Sequence, residues 1–105
     1  MRRYASLRRQ GEFARLRQRG RRFASGALTI YRADPFKTDR TAVVGITVGK
    51  PVGKAVVRNK VRRRVAAILQ QMLADRRLRL LVVARPLAAT TPFAQLRNEL
   101  ERALV

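Results

Sequence analysis

Between Lys50 and Arg64 the chain reads KPVGKAVVRNKVRRR, with seven basic residues and no acid. On a helix beginning near Ala55, Arg58 and Arg62 stand one turn apart, and so do Asn59 and Arg63. Arg presents a planar fork of donors that matches phosphate two bonds at a time, and the Asn amide both donates and accepts. Residues of this kind at this spacing read phosphates and sugars; they do not break bonds. The rest of the inventory points the same way. The chain has no His and no Cys, which excludes a His general base, a thiol nucleophile, disulfides and the usual zinc sites. Its six carboxylates are Glu12, Asp34, Asp39, Asp75, Glu99 and Glu101, and no three of them share a metal-ligand spacing. A nuclease working with its own side chains is poorly served by that set.

The charge balance names the class of partner. There are 25 Lys plus Arg against 6 Asp plus Glu, a formal net charge of +19 on 105 residues. Such a chain repels itself until a polyanion supplies counter-charge, which means nucleic acid or an anionic membrane surface. Arg outnumbers Lys by 21 to 4, which favours phosphate forks and stacking on bases. No apolar run approaches the ~20 residues that span a bilayer, and the N-terminus lacks the apolar centre of a signal peptide, so no membrane partner is expected and a cytoplasmic location is. A Lys/Arg run on a helix is ordinarily a solvated face, but this one has no Glu four residues away to relieve it. On these grounds a nucleic-acid binder stands well ahead, and a ribosomal protein or a general DNA-binding protein remains open beside more specialised readings.

The elements that hold these residues follow from periodicity. With 47% apolar residues and no break in composition, residues 1–105 are expected to form a single domain. Gln10 to Arg19 predicts a short helix stopped by Gly20, with Phe13 and Leu16 facing one way. Arg21 to Ser25 suggests a short strand. Ala27 to Arg32 alternates, placing Leu28 and Ile30 on one face and Thr29 and Tyr31 on the other. Thr41 to Val48 is β-branched and apolar and predicts a central strand, paired antiparallel with the previous one. From Ala55 to Asp75 the stripe Val57, Val61, Val65, Ile68 and Met72 predicts a long amphipathic helix, which leaves Asn59 and Arg63 pointing away from the core. Leu78 to Ala84 reads as a strand. Thr91 as N-cap with Pro92 at the first helical position opens a final helix carrying Leu96, Leu100 and Leu104. The expected order is α-β-β-β-α-β-α, an α+β sandwich.

The segment GKPVGKAVVRNKVRRRV resembles the signature of the protein subunit of bacterial ribonuclease P, an Arg-Asn helix that follows a Gly-Lys-Ala-Val loop. The likeness extends over nearly the whole chain: Arg8 to Gly20, Leu28 to Arg32, Val44 to Lys50 and Leu81 to Pro86 each resemble a family segment. It implies a ribosomal protein S5 domain 2-like fold, with a small mixed four-stranded sheet and a left-handed crossover between Val43–Val48 and Leu80–Ala84, where general rules would give a right-handed one. It implies a protein that binds the catalytic RNA subunit, here through Lys54, Arg58, Asn59, Lys60, Arg62 and Arg63. The 5′ leader of precursor tRNA would lie in a cleft, here against Phe13, Arg17, Tyr31 and Lys50. Leader removal would then be the work of the RNA, with Mg2+ bound mainly by that RNA and no catalytic residue on the protein. Three positions depart from the family pattern: Arg17 where a second aromatic is frequent, Lys60 where the motif has Arg, and Pro51 where many members have Lys.

Overall fold

The computed structural model describes residues 3–105. Each predicted helix has a local reason to begin or end where it does. Helix α1 spans Gln10–Arg19, and Glu12 in its first turn accepts from the backbone N–H of Arg8 and of Arg9, both at 3.3 Å. It stops at Gly20, whose N–H donates to Leu16 O at 2.8 Å; a Cβ at Gly20 would lie 2.5 Å from that same oxygen. Helix α2 spans Ala55–Met72 and buries Val61, Val65, Ile68 and Leu69, with Val57 and Met72 half-buried. It ends three residues before the expected Asp75, which takes φ +63 in the turn that follows. Asp tolerates that left-handed conformation better than most residues. Helix α3 spans Phe93–Leu104 and buries Leu96, Leu100 and Leu104 as expected. Its N-cap is Pro92 rather than Thr91, because the Thr91 hydroxyl turns back to donate to Leu87 O at 2.7 Å.

The strands are β1 (Tyr4–Ser6), β2 (Arg21–Ala24), β3 (Leu28–Ala33), β4 (Ala42–Val48) and β5 (Arg79–Ala84), in the sheet order β1-β4-β5-β3-β2. The architecture is the expected α+β sandwich with a mixed sheet, but the sheet has five strands rather than four. The addition, β1, pairs parallel with β4 through three residues. It lies in an Arg-rich stretch too short to show alternation, and Tyr4 joins the core by tertiary packing. A second expectation fails: β3 and β4 are not neighbours. Strand β5 lies between them, antiparallel to β3 and parallel to β4. Alternation assigns faces and not neighbours. Leu80, Leu81 and Val82 of β5 are wholly buried, which suits the centre of the sheet, and the long α2 connection permits the parallel return to β4.

Two cores result. Helices α2 and α3 cover the sheet face carrying Leu28, Ile30, Val44, Leu80 and Val82. Helix α1 lies on the other face, where Leu7, Leu16, Val43 and Leu81 are buried and Phe13, Tyr31 and Val83 pack at their edge. The predicted split of Leu28 and Ile30 from Tyr31 is therefore observed. Glu99 of α3 is buried and ties the β2–β3 turn, accepting from Ser25 Oγ and from the N–H groups of Ala27 and Leu28 at 3.2 and 3.1 Å.

The side chains of Phe13 and Leu7 pack directly on Gly45 of β4. A Cβ there would lie 2.7 Å from Phe13 Cε1 and 2.8 Å from Leu7 Cδ1, so both side chains would have to move. Gly45→Ala is expected to lower stability by about 1–3 kcal/mol through overpacking. Gly11→Ala, where an added Cβ meets nothing within 4 Å, is expected to raise it by about 0.5–1 kcal/mol through helix propensity. Urea midpoints moving in opposite directions confirm both expectations; equal midpoints reject the close packing at Gly45.

Candidate nucleic-acid interface

The basic segment is presented by a helix that cannot rotate. Because Val61, Val65, Ile68 and Leu69 are sunk in the core, the opposite face of α2 must meet solvent. That face carries Asn59 and Arg63, with Lys60 and Arg62 at its margins, all exposed, and Lys54 exposed at the N-cap position. The Asn59 side-chain oxygen accepts from Arg62 Nη1 at 3.3 Å, which restrains that guanidinium without neutralising it. The helix N-terminus adds its own partial positive charge near Lys54. Arg58 is placed differently: it is half-buried, and its Nε is enclosed without a hydrogen-bond partner. Lys50 is exposed in the short 3-10 turn Lys50–Val52 that leads from β4 to α2.

The second group lies around α1. Strand β1 pairs with β4 only through residues 42–44, so Gly45 to Val48 form an open edge. A cavity of about 300 Å3 lies there, lined by Gln10, Phe13, Ala14, Arg17 and Thr47. A second of about 300 Å3 borders it across Phe13 and Gly45 and reaches Arg62 and Ala66 of α2. The fold thus brings Phe13 and Arg17 together and carries the groove towards Arg62. Phe13 serves as both wall and core, half-buried against Gly45 while lining both cavities. Tyr31 shares the sheet face but lines neither cavity; it sits two strands over, beneath the end of α1, where a Cβ at Gly20 would lie 3.3 Å from Tyr31 Cβ.

Across residues 1–105 the sequence matches the family model described as Ribonuclease P. The chain belongs to the ribonuclease P protein family. It is 42% identical over 101 residues to the ribonuclease P protein component of Acidothermus cellulolyticus, covering 93% of this chain and 83% of that protein. With the ribonuclease P protein component of Thermus thermophilus it is 52% identical over 61 residues, which is 58% of this chain and only 37% of that longer protein. The solved RNase P protein of Staphylococcus aureus matches the fold with a TM-score of 0.79 at 27% identity, over 94% of this chain and 91% of that one.

This ribonuclease P family member also contains a cluster that no motif announced. Arg79 of β5 is buried and donates to both carboxylate oxygens of Asp39, each at 2.9 Å, and to Glu12 Oε1 at 3.3 Å. Its guanidinium carbon lies 3.6 Å from the centre of the Phe36 ring. The Arg79 hydrogen bonds hold the Asp39 carboxyl below its usual range, against the opposing effect of burial. Burial pushes Glu12 up, but the Arg9 and Arg8 N–H groups and Arg79 outweigh it, leaving that carboxyl below its usual value too. Asp39 in turn raises Arg79. The cluster pins the first turn of α1 and the loop 34–41 to the sheet, and so sets the wall on which Phe13 and Arg17 stand. The available signal was a lone Arg in the apolar run LRLLVVA, on the same face as Leu81 and Val83.

Among the described residues, no three His, Cys, Asp or Glu side chains come together to hold a metal, and no helix is long and apolar enough to cross a membrane. Glu12 and Asp39 engage Arg79, Glu99 engages the β2–β3 turn and Glu101 pairs with Arg97 at 3.1 Å.

Proposed function

We propose that this chain is the protein subunit of a cytoplasmic ribonuclease P ribonucleoprotein, acting as one RNA-binding domain that helps its RNA subunit cut the 5′ leader from precursor tRNA. The observation that carries this reading is the acid-free face of α2, with Lys54, Asn59, Lys60, Arg62 and Arg63 exposed above a buried stripe. That face, joined by Arg58, is the surface for the catalytic RNA. The groove at the open edge of β4, with Phe13, Arg17 and Arg62, is shaped for an extended single strand, to which an aromatic face contributes ~1–3 kcal/mol per base. Lys50 and Tyr31 extend the leader surface along the sheet beyond that groove. We assign the bond-breaking step and the Mg2+ it needs to the RNA; the protein's part is to reduce repulsion between two polyanions and to hold the leader.

Adding the full chain to its partner RNA is expected to raise the rate of 5′ processing at low Mg2+, and absence of any stimulation would reject the proposal. Six to ten phosphate contacts would make affinity fall by roughly 10³–10⁵ between 50 and 200 mM salt. In a binding titration of the same RNA–protein complex, Tyr31→Ala is expected to weaken binding of substrate with a leader, by roughly 5-fold or more, while leaving mature tRNA unaffected. Equal effects on the two would remove Tyr31 from the leader surface.

A further inference from the structure

Residues 15 and 17 lie about 200° apart around a helix, so Arg15 and Arg19 face away from the Arg17 groove. On their side, between α1 and the loop 34–41, lies a third cavity of about 330 Å3. Leu16, Ala33 and Phe36 provide apolar lining, and Arg9, Arg15 and Arg19 stand among its other lining residues. Among the described residues no acid forms an ion pair with any of these three.

Phe36 makes this more than a gap beside a helix. Its ring is 38% exposed, yet the loop beneath it is held firmly. Its N–H donates to Asp39 Oδ2 at 2.8 Å, the Asp39 N–H donates to Phe36 O at 3.0 Å, and Arg77 donates to the carbonyls of Asp39 and Phe36 at 2.9 and 3.3 Å. The ring rests on Arg79, whose charge is already matched by Asp39 and Glu12. A part-exposed aromatic face fixed in advance loses little freedom when a flat ligand stacks on it. Arg15 lies over the ring, 5.3 Å from its centre, and Arg19 follows four residues later, about 6 Å along the axis. The lining also holds Glu12 and Arg79, which pair with each other at 3.3 Å, so the excess charge of the slot is that of Arg9, Arg15 and Arg19, and with the fixed ring it suits a flat, anionic ligand.

We propose that this cavity takes an unpaired nucleotide of an RNA strand, with its base against Phe36 and its flanking phosphates on Arg15 and Arg19. The proposal rests on the reading of the chain as an RNA-binding protein and concerns a site separate from the Phe13–Arg17 groove. It is tested by titrating the 15N-labelled full chain with a single-stranded tetra-adenylate ribo-oligonucleotide and, separately, with inorganic phosphate. The oligonucleotide is expected to shift the amides of Gly11, Leu16, Gly20, Ala33 and Phe36 in a saturable way, and phosphate alone is not. Phe36→Leu should weaken that response by roughly 5- to 100-fold. Arg15→Ala combined with Arg19→Ala should flatten its dependence of log affinity on log salt by about 1.4, for two lost single-strand phosphate contacts. Shifts on α2 with a silent cavity overturn this site alone; silence at both overturns the RNA-binding reading as well. Identical shifts from phosphate alone overturn the base slot.

Discussion

Arg62→Glu combined with Arg63→Glu is expected to weaken binding of the partner RNA by more than about 100-fold at low salt while leaving the thermal midpoint nearly unchanged. Both side chains are exposed, Arg63 opposite the stripe of Val61, Val65 and Ile68 and Arg62 at its flank, so the substitution removes no buried side chain from the core. Each lost charge-assisted hydrogen bond to a phosphate removes about 1.5–3 kcal/mol, and each new carboxylate repels the strand that the guanidinium held. The salt dependence should flatten as well, by about 0.9 in slope for each lost contact to duplex phosphate. Electrophoretic or fluorescence titration against the RNA at several salt concentrations measures both quantities. Unchanged affinity would move the RNA-binding surface off α2. Arg58 is the poorer choice for this test: its Nε is enclosed in the fold, so charge reversal there mixes lost binding with lost stability.

Arg79→Ala is expected to destabilise the fold by about 3–5 kcal/mol at neutral pH, because it leaves the Asp39 carboxylate buried without its cation. Against a total stability of about 5–15 kcal/mol this is a severe loss. The pH dependence identifies the mechanism. In the parent chain the folded Asp39 carboxyl titrates below its ordinary value of 3.8, so its contribution is fully present above that value and is lost as pH falls through the lower folded value. In the variant the buried, unpaired carboxylate is disfavoured, its titration moves upward, and acid relieves the strain. The gap between parent and variant in urea unfolding should therefore hold near neutral pH and narrow in acid, first as the variant's carboxylate takes up its proton and then, below 3.8, as the parent loses its own contribution. A constant gap would mean that Arg79 contributes packing alone. The same variant should loosen the first turn of α1 and reduce leader-dependent binding, since the cluster sets the wall bearing Phe13 and Arg17.

The parts of the fold legible in the sequence are those decided locally. The α2 stripe, the Leu96–Leu100–Leu104 stripe and the alternation of Leu28, Ile30 and Tyr31 each read out a backbone period, and burial followed it. The exposure of Asn59 and Arg63 was legible for the same reason: once the apolar stripe turns inward, the positions opposite it have no choice. Strand neighbours were not legible. Period-two alternation says which face is buried but is silent about which edge meets which, and β5 entered between β3 and β4. Strand β1 was missed because three residues are too few to show a period, and its place depends on the edge that β4 offers.

Taken alone, the sequence determined the excess of positive charge, the apolar stripe that turns Asn59 and Arg63 of α2 outward and, through the Arg-Asn motif, the family. Charge, composition and one-dimensional spacing survive in any arrangement of the chain. The tertiary structure alone decided the sites that draw on distant segments: the groove of Phe13, Arg17 and Thr47, and the clamp joining Glu12, Asp39 and Arg79. Those depend on Coulomb and packing forces that act over a few ångströms between residues tens of positions apart, and such distances exist only once the sheet has closed.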